Sequence, residues 1–270
     1  MPHHAAFYEN VLGTSMELQI FGPAESARQA EANALGEIDR LESIFSRYRP
    51  DSELAKWEET FEVAAPVSKE LAEVLTLAER YRIASNGAFD PTLAGENRPL
   101  WRVDGLNAFR LTQKPASLNA LAKGYIVDRA AEAARSQPGI EAVLLNIGGD
   151  LRHFGDQPVG VAVTDPFSPQ ENAKPVSQVR IRNQGMATSG SYRRGPHLID
   201  PRTGEAAVHV ASATVVAKTT ADADALATAF FVLSPRESLQ LADECDVAVL
   251  LILQNQKRHC NRAWRRLTFK

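Results

Sequence analysis

The spacing of apolar residues in the first third of the chain predicts one strand followed by helices. Residues 15–21 are apolar at every second position, which indicates a half-buried strand. Residues 23–48 carry apolar side chains at a helical period, and Pro50 ends that helix. Ser68 is suited to cap the N-terminus of a second helix, and Asn86-Gly87 would end it by supplying a left-handed residue.

The remainder of the chain alternates between the two patterns. Apolar runs of strand length predict strands at 142–147, 159–164, 178–182, 208–217 and 246–253. We also predict helices at 123–136, which Pro138-Gly139 ends, at 221–233, and from Ser234-Pro235 onward, where a serine cap precedes an N1 proline. Residues 255–270 are rich in lysine and arginine, and a basic end of this kind is more often solvated than bound to nucleic acid.

Composition narrows the classes of partner. The chain has 270 residues, of which 44% are hydrophobic and 23% charged, so a sizeable globular core is expected. The net charge of -3 gives no electrostatic reason to expect nucleic acid or an anionic membrane as partner. Cys245 and Cys260 have neither a disulfide-framework pattern nor zinc-ligand spacing. We find no membrane span and no recognisable signal peptide, which on that basis favours the cytoplasm.

The segment ADADALATAFFVL, residues 221–233, offers a candidate metal site. In a helix Asp224 and Thr228 stand at i and i+4, so a carboxylate and a hydroxyl lie on one face. Such oxygen ligands suit Mg²⁺ or Ca²⁺. The alternative is that Asp222 and Asp224 only complement the partial positive charge at a helix N-terminus.

Two loops and a helix start carry further candidate chemistry. Asp90, in the turn-rich segment 87–101, could contact a ligand or could merely form an Asx-turn before Pro91. Lys123 in ALAKG could present a cation and helix N-terminal amides to a phosphate, or could belong to an ordinary helix start. The glycine pair in NIGGD allows a tight turn, but it matches no dinucleotide fingerprint.

The polar segment 185–204 combines hydroxyls, arginines and a histidine. Thr188, Ser189 and His197 could hold an anionic substrate and supply a base. Serine hydrolysis is disfavoured, because Ser189 does not stand in a GxSxG motif. A solvated loop with a satisfied histidine is the alternative for these residues.

Eight segments, taken together and in this order, resemble the ApbE family of FAD:protein FMN transferases. They are NVLGTSMEL, FSRYRPDSEL, GAFDPTLAG with LW, ALAKGYIVD, LLNIGGDLRHFG, ATSGSY, HLIDPRTG and ADALATA. These segments run from about residue 10 to about residue 233, and eight matches in family order are more specific than any one motif. We therefore expect a single ApbE-like domain over residues 1–270, with residues 255–270 as a basic tail.

The resemblance implies a magnesium-dependent reaction on FAD. Members of the family cleave the FAD pyrophosphate, transfer FMN to a threonine or serine hydroxyl of a partner protein, and release AMP. Such protein flavinylation needs a cation at the phosphates and a base for the hydroxyl. The expected partners are thus Mg²⁺, FAD as substrate, and an acceptor flavoprotein with a Thr/Ser target motif.

The resemblance also implies roles for individual residues. Asp224 and Thr228 correspond to metal ligands, together with the backbone carbonyl near Ala120. His197 corresponds to the catalytic base, and Asp224 is the second residue assigned to catalysis. The residues at FAD-contact positions are Leu12, Tyr48, Ala88, Phe89, Asp90, Ser117, Lys123, Thr188, Ser189, Gly190 and Ile199.

One position departs from the family pattern. The family usually has an acid, an apolar residue and a glycine before the AxAKG segment, whereas this chain has Ser117, Leu118 and Asn119. An aspartate that contacts the flavin nucleotide is therefore replaced by Ser117. Two other functions stay open, namely hydrolysis of FAD to FMN and AMP, and FAD binding without chemistry.

The expected fold is α+β. We predict a mixed β-sheet core flanked by helices, with a second lobe, in the ApbE-like (T-fold-like) architecture that the resemblance implies. FAD would lie between the two parts, since ligands commonly occupy such junctions. The family usually works outside the cytoplasm on exported or membrane redox proteins, in contrast to the location that the missing signal favours.

Overall fold

A computed structural model describes residues 3–93, 95–96, 98–170, 173–190 and 199–269. Its helices are α1 (Ala24–Phe45), α2 (Glu53–Glu58), α3 (Lys69–Ala84), α4 (Asn119–Arg135), α5 (Thr220–Val232), α6 (Pro235–Glu244) and α7 (Arg262–Leu267). The first strands are β1 (His3–Val11), β2 (Thr14–Phe21), β3 (Ala64–Pro66), β4 (Trp101–Asp104), β5 (Asn107–Arg110), β6 (Ala142–Ile147) and β7 (Asp150–Phe154). The later strands are β8 (Val159–Val163), β9 (Ser177–Ile181), β10 (Gly185–Gly190), β11 (Val210–Ala217), β12 (Ala248–Leu253) and β13 (Arg258–Cys260).

The strands form one large sheet and two small ones. Within the described ranges the large sheet has the order β1-β2-β6-β7-β10-β11-β12-β13, and the small sheets have the orders β3-β5-β4 and β8-β9. The α+β class is confirmed, but the sheet is not mixed in the described ranges. All its described pairings are antiparallel.

The large sheet is covered on both faces. On one face, residues such as Val215 and Val249 join the main core with helices α1, α4 and α5. Their chain neighbours Val216 and Leu250 point the other way, into a second core that contains β9 and Trp264 of α7. Because successive side chains of a strand face opposite sides, the middle strands are apolar throughout rather than alternating.

Most of the predicted elements are confirmed, and one boundary is wrong in a way that matters for function. Ser68 caps α3 by accepting a hydrogen bond from the amide of Leu71 at 3.1 Å. Helix α4, however, begins at Asn119 rather than at Lys123. Its N-cap, Leu118, has no capping side chain, so the sequence carries no signal for this start. Lys123 therefore lies in the second turn, not among the free amides of a helix end.

The basic end of the chain is attached to the sheet. Strand β13 pairs with β12, and Trp264 of α7 is 2% exposed. The arginines at 262, 265 and 266 are exposed around it. A buried aromatic side chain thus anchors a segment whose charges remain solvated.

No helix in the described part of the chain is both long enough and apolar enough to cross a membrane.

Helices α4 and α5 approach each other closely because α4 has a glycine at the contact. A Cβ atom at Gly124 would lie 2.5 Å from the carbonyl oxygen of Thr220, a distance that real Cβ atoms do not reach. Gly36, in the middle of α1, has nothing within 4 Å of its own hypothetical Cβ. The contact between α4 and α5 therefore requires a glycine at position 124, whereas no neighbouring atom requires one at position 36.

The contrast between these glycines predicts opposite effects on stability. Gly124→Ala should lower the free energy of unfolding by about 2 kcal/mol or more, because α4 and α5 must separate. Gly36→Ala should raise it by about 0.5–1 kcal/mol, because alanine loses less backbone entropy in a helix. Urea unfolding of both variants beside the wild type measures the two changes, and a neutral Gly124→Ala would contradict the close contact.

His153 predicts a pH dependence of stability. This β7 residue is 1% exposed, and the amide of Asn183 donates to its Nδ1 at 3.3 Å. Burial, assisted by Arg152, lowers the pKa of His153 below 6.5. As the pH falls, this histidine therefore takes up a proton in the unfolded state at a higher pH than in the folded state. The free energy of unfolding should consequently fall as pH drops through 6.5. Unfolding curves at pH 7.5 and 5.5 measure this loss, which should be smaller in His153→Gln.

Candidate active site

A cavity of about 760 Å³ opens between α4, α5, the end of β10 and the loops that face them. Every predicted site residue within the described ranges lines it. These are Leu12, Tyr48, Ala88, Phe89, Asp90, Ser117, Ala120, Lys123, Thr188, Ser189, Gly190, Ile199, Asp224 and Thr228. His197 lies outside the described residues. A cavity of this size is within the range of small-molecule and cofactor sites.

Helix α5 places Asp224 and Thr228 in the cavity wall. Thr219 caps the helix by accepting a hydrogen bond from the amide of Asp222 at 3.1 Å. Asp224 is only 6% exposed, and Thr228 stands one turn further along. Asp222 lies in the first turn and accepts a hydrogen bond from the hydroxyl of Tyr81. The carboxylate at the cavity is thus Asp224, whereas Asp222 contacts α3.

Helix α4 brings backbone groups to the same carboxylate. The amide of Gly124 donates to Oδ2 of Asp224 at 3.3 Å. In a regular helix that amide also faces the carbonyl of the residue four positions earlier, which is Ala120. The Ala120 carbonyl and the Asp224 carboxylate therefore both lie next to the Gly124 amide, and Ala120 lines the cavity.

A buried cluster of charges surrounds Asp224. Nζ of Lys123 lies 3.0 Å from Oδ2 of Asp150, the first residue of β7. Burial, followed by the neighbouring carboxyl of Asp150, raises the pKa of Asp224 well above its usual value. The Lys123 ammonium and the Gly124 amide oppose that rise. A positive charge at this place would stabilise the ionised carboxylate.

Strand β10 lines the cavity next to α5 with Thr188 and Ser189. Oγ of Ser189 and Oγ1 of Thr228 are 3.2 Å apart, and Oγ1 of Thr188 is 3.0 Å from Oγ1 of Thr214. The sequence alone suggested a polar segment here, whereas residues 185–190 form a strand between β7 and β11. The strand fixes the hydroxyls instead of leaving them in a solvated loop.

Asp90 organises its own loop. Its Oδ1 accepts hydrogen bonds from the amide of Thr92 at 2.8 Å and from the Thr92 hydroxyl at 2.7 Å. Its Oδ2 accepts the amide of Gly95 at 3.0 Å. The Asx-turn interpretation is therefore confirmed, although Asp90 also lines the cavity. The same loop is tied to the start of α4, because the amide of Ser117 donates to the carbonyl of Pro91 at 2.6 Å.

The rim of the cavity is apolar and open to solvent. Tyr48 is 89% exposed, Leu93 is 60% exposed and Ile199 is 44% exposed. All three residues line the cavity. Exposed large apolar side chains around a polar floor are typical of a ligand-binding or protein-binding site.

Several residues of the site were not predicted from the sequence. Glu42, Arg47 and Asn119 line the cavity, and Asp150 lies beneath it in contact with Lys123. Arg47 directly precedes Tyr48 in the FSRYRP segment, so the predicted FAD contact at Tyr48 is the sequence signal for Arg47. Asp150 directly follows the paired glycines of NIGGD, and an acid at the start of a buried strand is the sequence signal that marks it.

The donor set at Asp224 fits a hard divalent cation. A carboxylate, a hydroxyl and a nearby backbone carbonyl are oxygen ligands of the kind that Mg²⁺ prefers. The described residues include no group of three or more His, Cys, Asp or Glu side chains that could hold a metal ion. A cation at Asp224 would take its further ligands from water or from the phosphate oxygens of a nucleotide.

Comparison of the sequence with known proteins identifies a family and several relatives. The profile of the ApbE family matches residues 12–251. A protein of Haemophilus influenzae named FAD:protein FMN transferase is 31% identical in an alignment of 257 positions that covers 77% of this chain and 74% of that protein. A protein of the same name from Klebsiella pneumoniae is 27% identical in an alignment of 291 positions that covers 90% of this chain and 82% of that protein.

Solved structures share the fold. The crystal structure of the ApbE protein from Thermotoga maritima superposes with a TM-score of 0.88 at 22% identity and covers 100% of both chains. The apo form of Pseudomonas stutzeri flavinyl transferase ApbE superposes with a TM-score of 0.83 at 22% identity, over 99% of this chain and 98% of that one. At this identity the superpositions show the architecture alone. The family match, which spans most of the sequence, shows that the chain belongs to the ApbE family.

Proposed function

We propose that this protein transfers FMN from FAD to a threonine or serine hydroxyl of a partner protein, with Mg²⁺ as cofactor. The observation that carries the proposal is that one cavity gathers Asp224, Thr228, Ala120 and Lys123 from two helices. The names of the relatives support the choice of FAD as substrate and of a protein as acceptor.

The proposed reaction exchanges the phosphoanhydride bond of FAD for a phosphoester bond to the acceptor. The acceptor oxygen forms a bond to the phosphorus of the FMN moiety, and the bond from that phosphorus to the bridging oxygen breaks. AMP leaves with that oxygen, and the proton of the acceptor hydroxyl passes to a base. His197 is the residue that we propose as this base, because an imidazole can take a proton near neutral pH.

The residues of the cavity floor would provide the electrostatic part of catalysis. We propose Asp224, Thr228 and the carbonyl of Ala120 as ligands of Mg²⁺, which would neutralise charge on the pyrophosphate when bound. Lys123 would add a second positive charge beside the phosphates. Tyr48, Phe89 and Ile199, together with the rest of the lining, would contact the flavin and its chain.

Ser117 favours a second candidate function. It lines the cavity at the position where the family pattern has an acid, so contacts to the flavin nucleotide would be weaker. Weak positioning of FAD could leave the protein as an FAD pyrophosphatase or as an FAD-binding protein without chemistry. Incubation with FAD and Mg²⁺ separates these functions, because hydrolysis yields free FMN without an acceptor and binding alone yields no AMP.

The metal proposal predicts the effect of removing one carboxylate. Asp224→Asn should lower Mg²⁺-dependent AMP release from FAD by about a hundredfold or more, because an amide is a poor ligand for Mg²⁺. AMP formation with a threonine-containing acceptor protein, followed by chromatography and by mass spectrometry of the acceptor, measures the loss.

Asp222→Asn is the matched control for that experiment. It changes the same residue type two positions away, on the face that contacts Tyr81. AMP release should stay within about threefold of wild type, since Asp222 does not line the cavity. Equal losses in the two variants would argue against a ligand role for Asp224.

The departure at Ser117 predicts a gain of affinity. Ser117→Asp should tighten FAD binding by about fivefold, because hydrogen bonds to a carboxylate are stronger than those to a hydroxyl by about 1 kcal/mol. Quenching of flavin fluorescence in a titration with protein measures the dissociation constant. Weaker binding by the variant would show that the nucleotide does not approach this position.

A further inference from the structure

Lys123 and Asp150 form a pair directly below the cavity. Nζ of Lys123 is 3.0 Å from Oδ2 of Asp150, and the Asp150 side chain is 2% exposed. The Lys123 side chain is 24% exposed and lines the cavity. The lysine can therefore reach a bound ligand, whereas the aspartate is enclosed by protein.

The same lysine lies beside Asp224. The amide that follows Lys123 in the chain, that of Gly124, donates to Oδ2 of Asp224 at 3.3 Å. Lys123 stabilises the ionised carboxyl of Asp224, whereas Asp150 opposes its ionisation, both by its charge and by a hydrogen bond to the Asp224 side chain. One ammonium group thus has two carboxylates in its immediate surroundings.

We propose that Asp150 is a positioning residue that holds the Lys123 ammonium away from the Asp224 oxygens, so that these oxygens stay available to a divalent cation. The inference rests on the proposed metal site and adds a residue to it. A lysine side chain has four rotatable carbon–carbon bonds and an ammonium that any nearby carboxylate attracts. Without the Asp150 charge, the remaining carboxylate beside Lys123 is the one that the cation needs.

A double-mutant cycle tests this competition. The experiment titrates Mn²⁺, a divalent probe with a paramagnetic signal, into full-length protein in the absence and presence of FAD. Asp150→Asn should raise the Mn²⁺ dissociation constant by about tenfold, because Lys123 then pairs with Asp224. Lys123→Met should tighten Mn²⁺ binding by about tenfold in the Asp150→Asn background but by less than about threefold in the wild-type background.

The unequal gain separates positioning from a simple change of net charge. If Asp150 acted only by its negative charge, removal of Lys123 would change the affinity for Mn²⁺ by the same factor in both backgrounds. Equal factors would therefore overturn the proposal, as would an Asp150→Asn variant with wild-type affinity. Lys123→Met in the wild-type background gives an independent value if Asp150→Asn does not fold, and a tenfold gain there would also overturn it.

Two controls make the result interpretable. Asp243→Asn removes the same charge on α6, where Asp243 accepts a hydrogen bond from Asn261 outside the cavity, and should leave Mn²⁺ affinity unchanged. Thermal unfolding of each variant shows whether it is folded at the temperature of the titration. Absence of saturable Mn²⁺ binding by the wild type would overturn the metal site itself, and this outcome differs from equal factors in the cycle.

Discussion

The close approach of α4 and α5 is the constraint on which the site depends. Thr220, at the start of α5, touches two glycines at once. Its carbonyl oxygen would lie 2.5 Å from a Cβ at Gly124 of α4, and its amide nitrogen would lie 2.3 Å from a Cβ at Gly185 of β10. Because neither neighbour has a side chain, the first turn of α5 fits between a helix and a strand. Asp224, one turn further on, then meets the amide of Gly124.

The buried start of α5 is possible because its free amides find partners on α4. Asp128 accepts hydrogen bonds from the amides of Thr220 and Ala221 at 2.8 and 2.9 Å. Arg152 of β7 lies 3.6 Å from the same carboxylate and donates to the carbonyl of Lys218. A helix N-terminus enclosed in protein would otherwise leave these donors unsatisfied, at a cost of about 1–3 kcal/mol each. The segment ALAKGYIVD therefore shapes the site twice, through Gly124 at the contact and Asp128 at the cap.

The sequence predicted those features that local periodicity and capping determine. The side-by-side placement of Asp224 and Thr228 follows from the 3.6-residue turn of a helix, and the end of α3 follows from Asn86-Gly87, whose φ angles are positive. The start of α4 was missed because Leu118 is not a capping residue type. Asp150 was missed because its importance arises from Lys123, which lies 27 residues earlier on another element. Contacts across elements of this kind have no periodic signal in a single sequence.

Asp90 and Asp224 are two acids of the site whose hydrogen-bonding surroundings differ. Both are buried and both line the cavity, yet the Asp90 oxygens accept three hydrogen bonds from their own loop. Asp224, in contrast, accepts the amide of Gly124 at 3.3 Å and meets a second carboxyl, that of Asp150, whose charge and hydrogen bond raise the pKa of Asp224. A buried carboxylate is costly unless positive charge or several donors compensate it. The loop therefore satisfies Asp90, whereas Asp224 gains most from a cation in the cavity, with Lys123 as the competitor that Asp150 restrains.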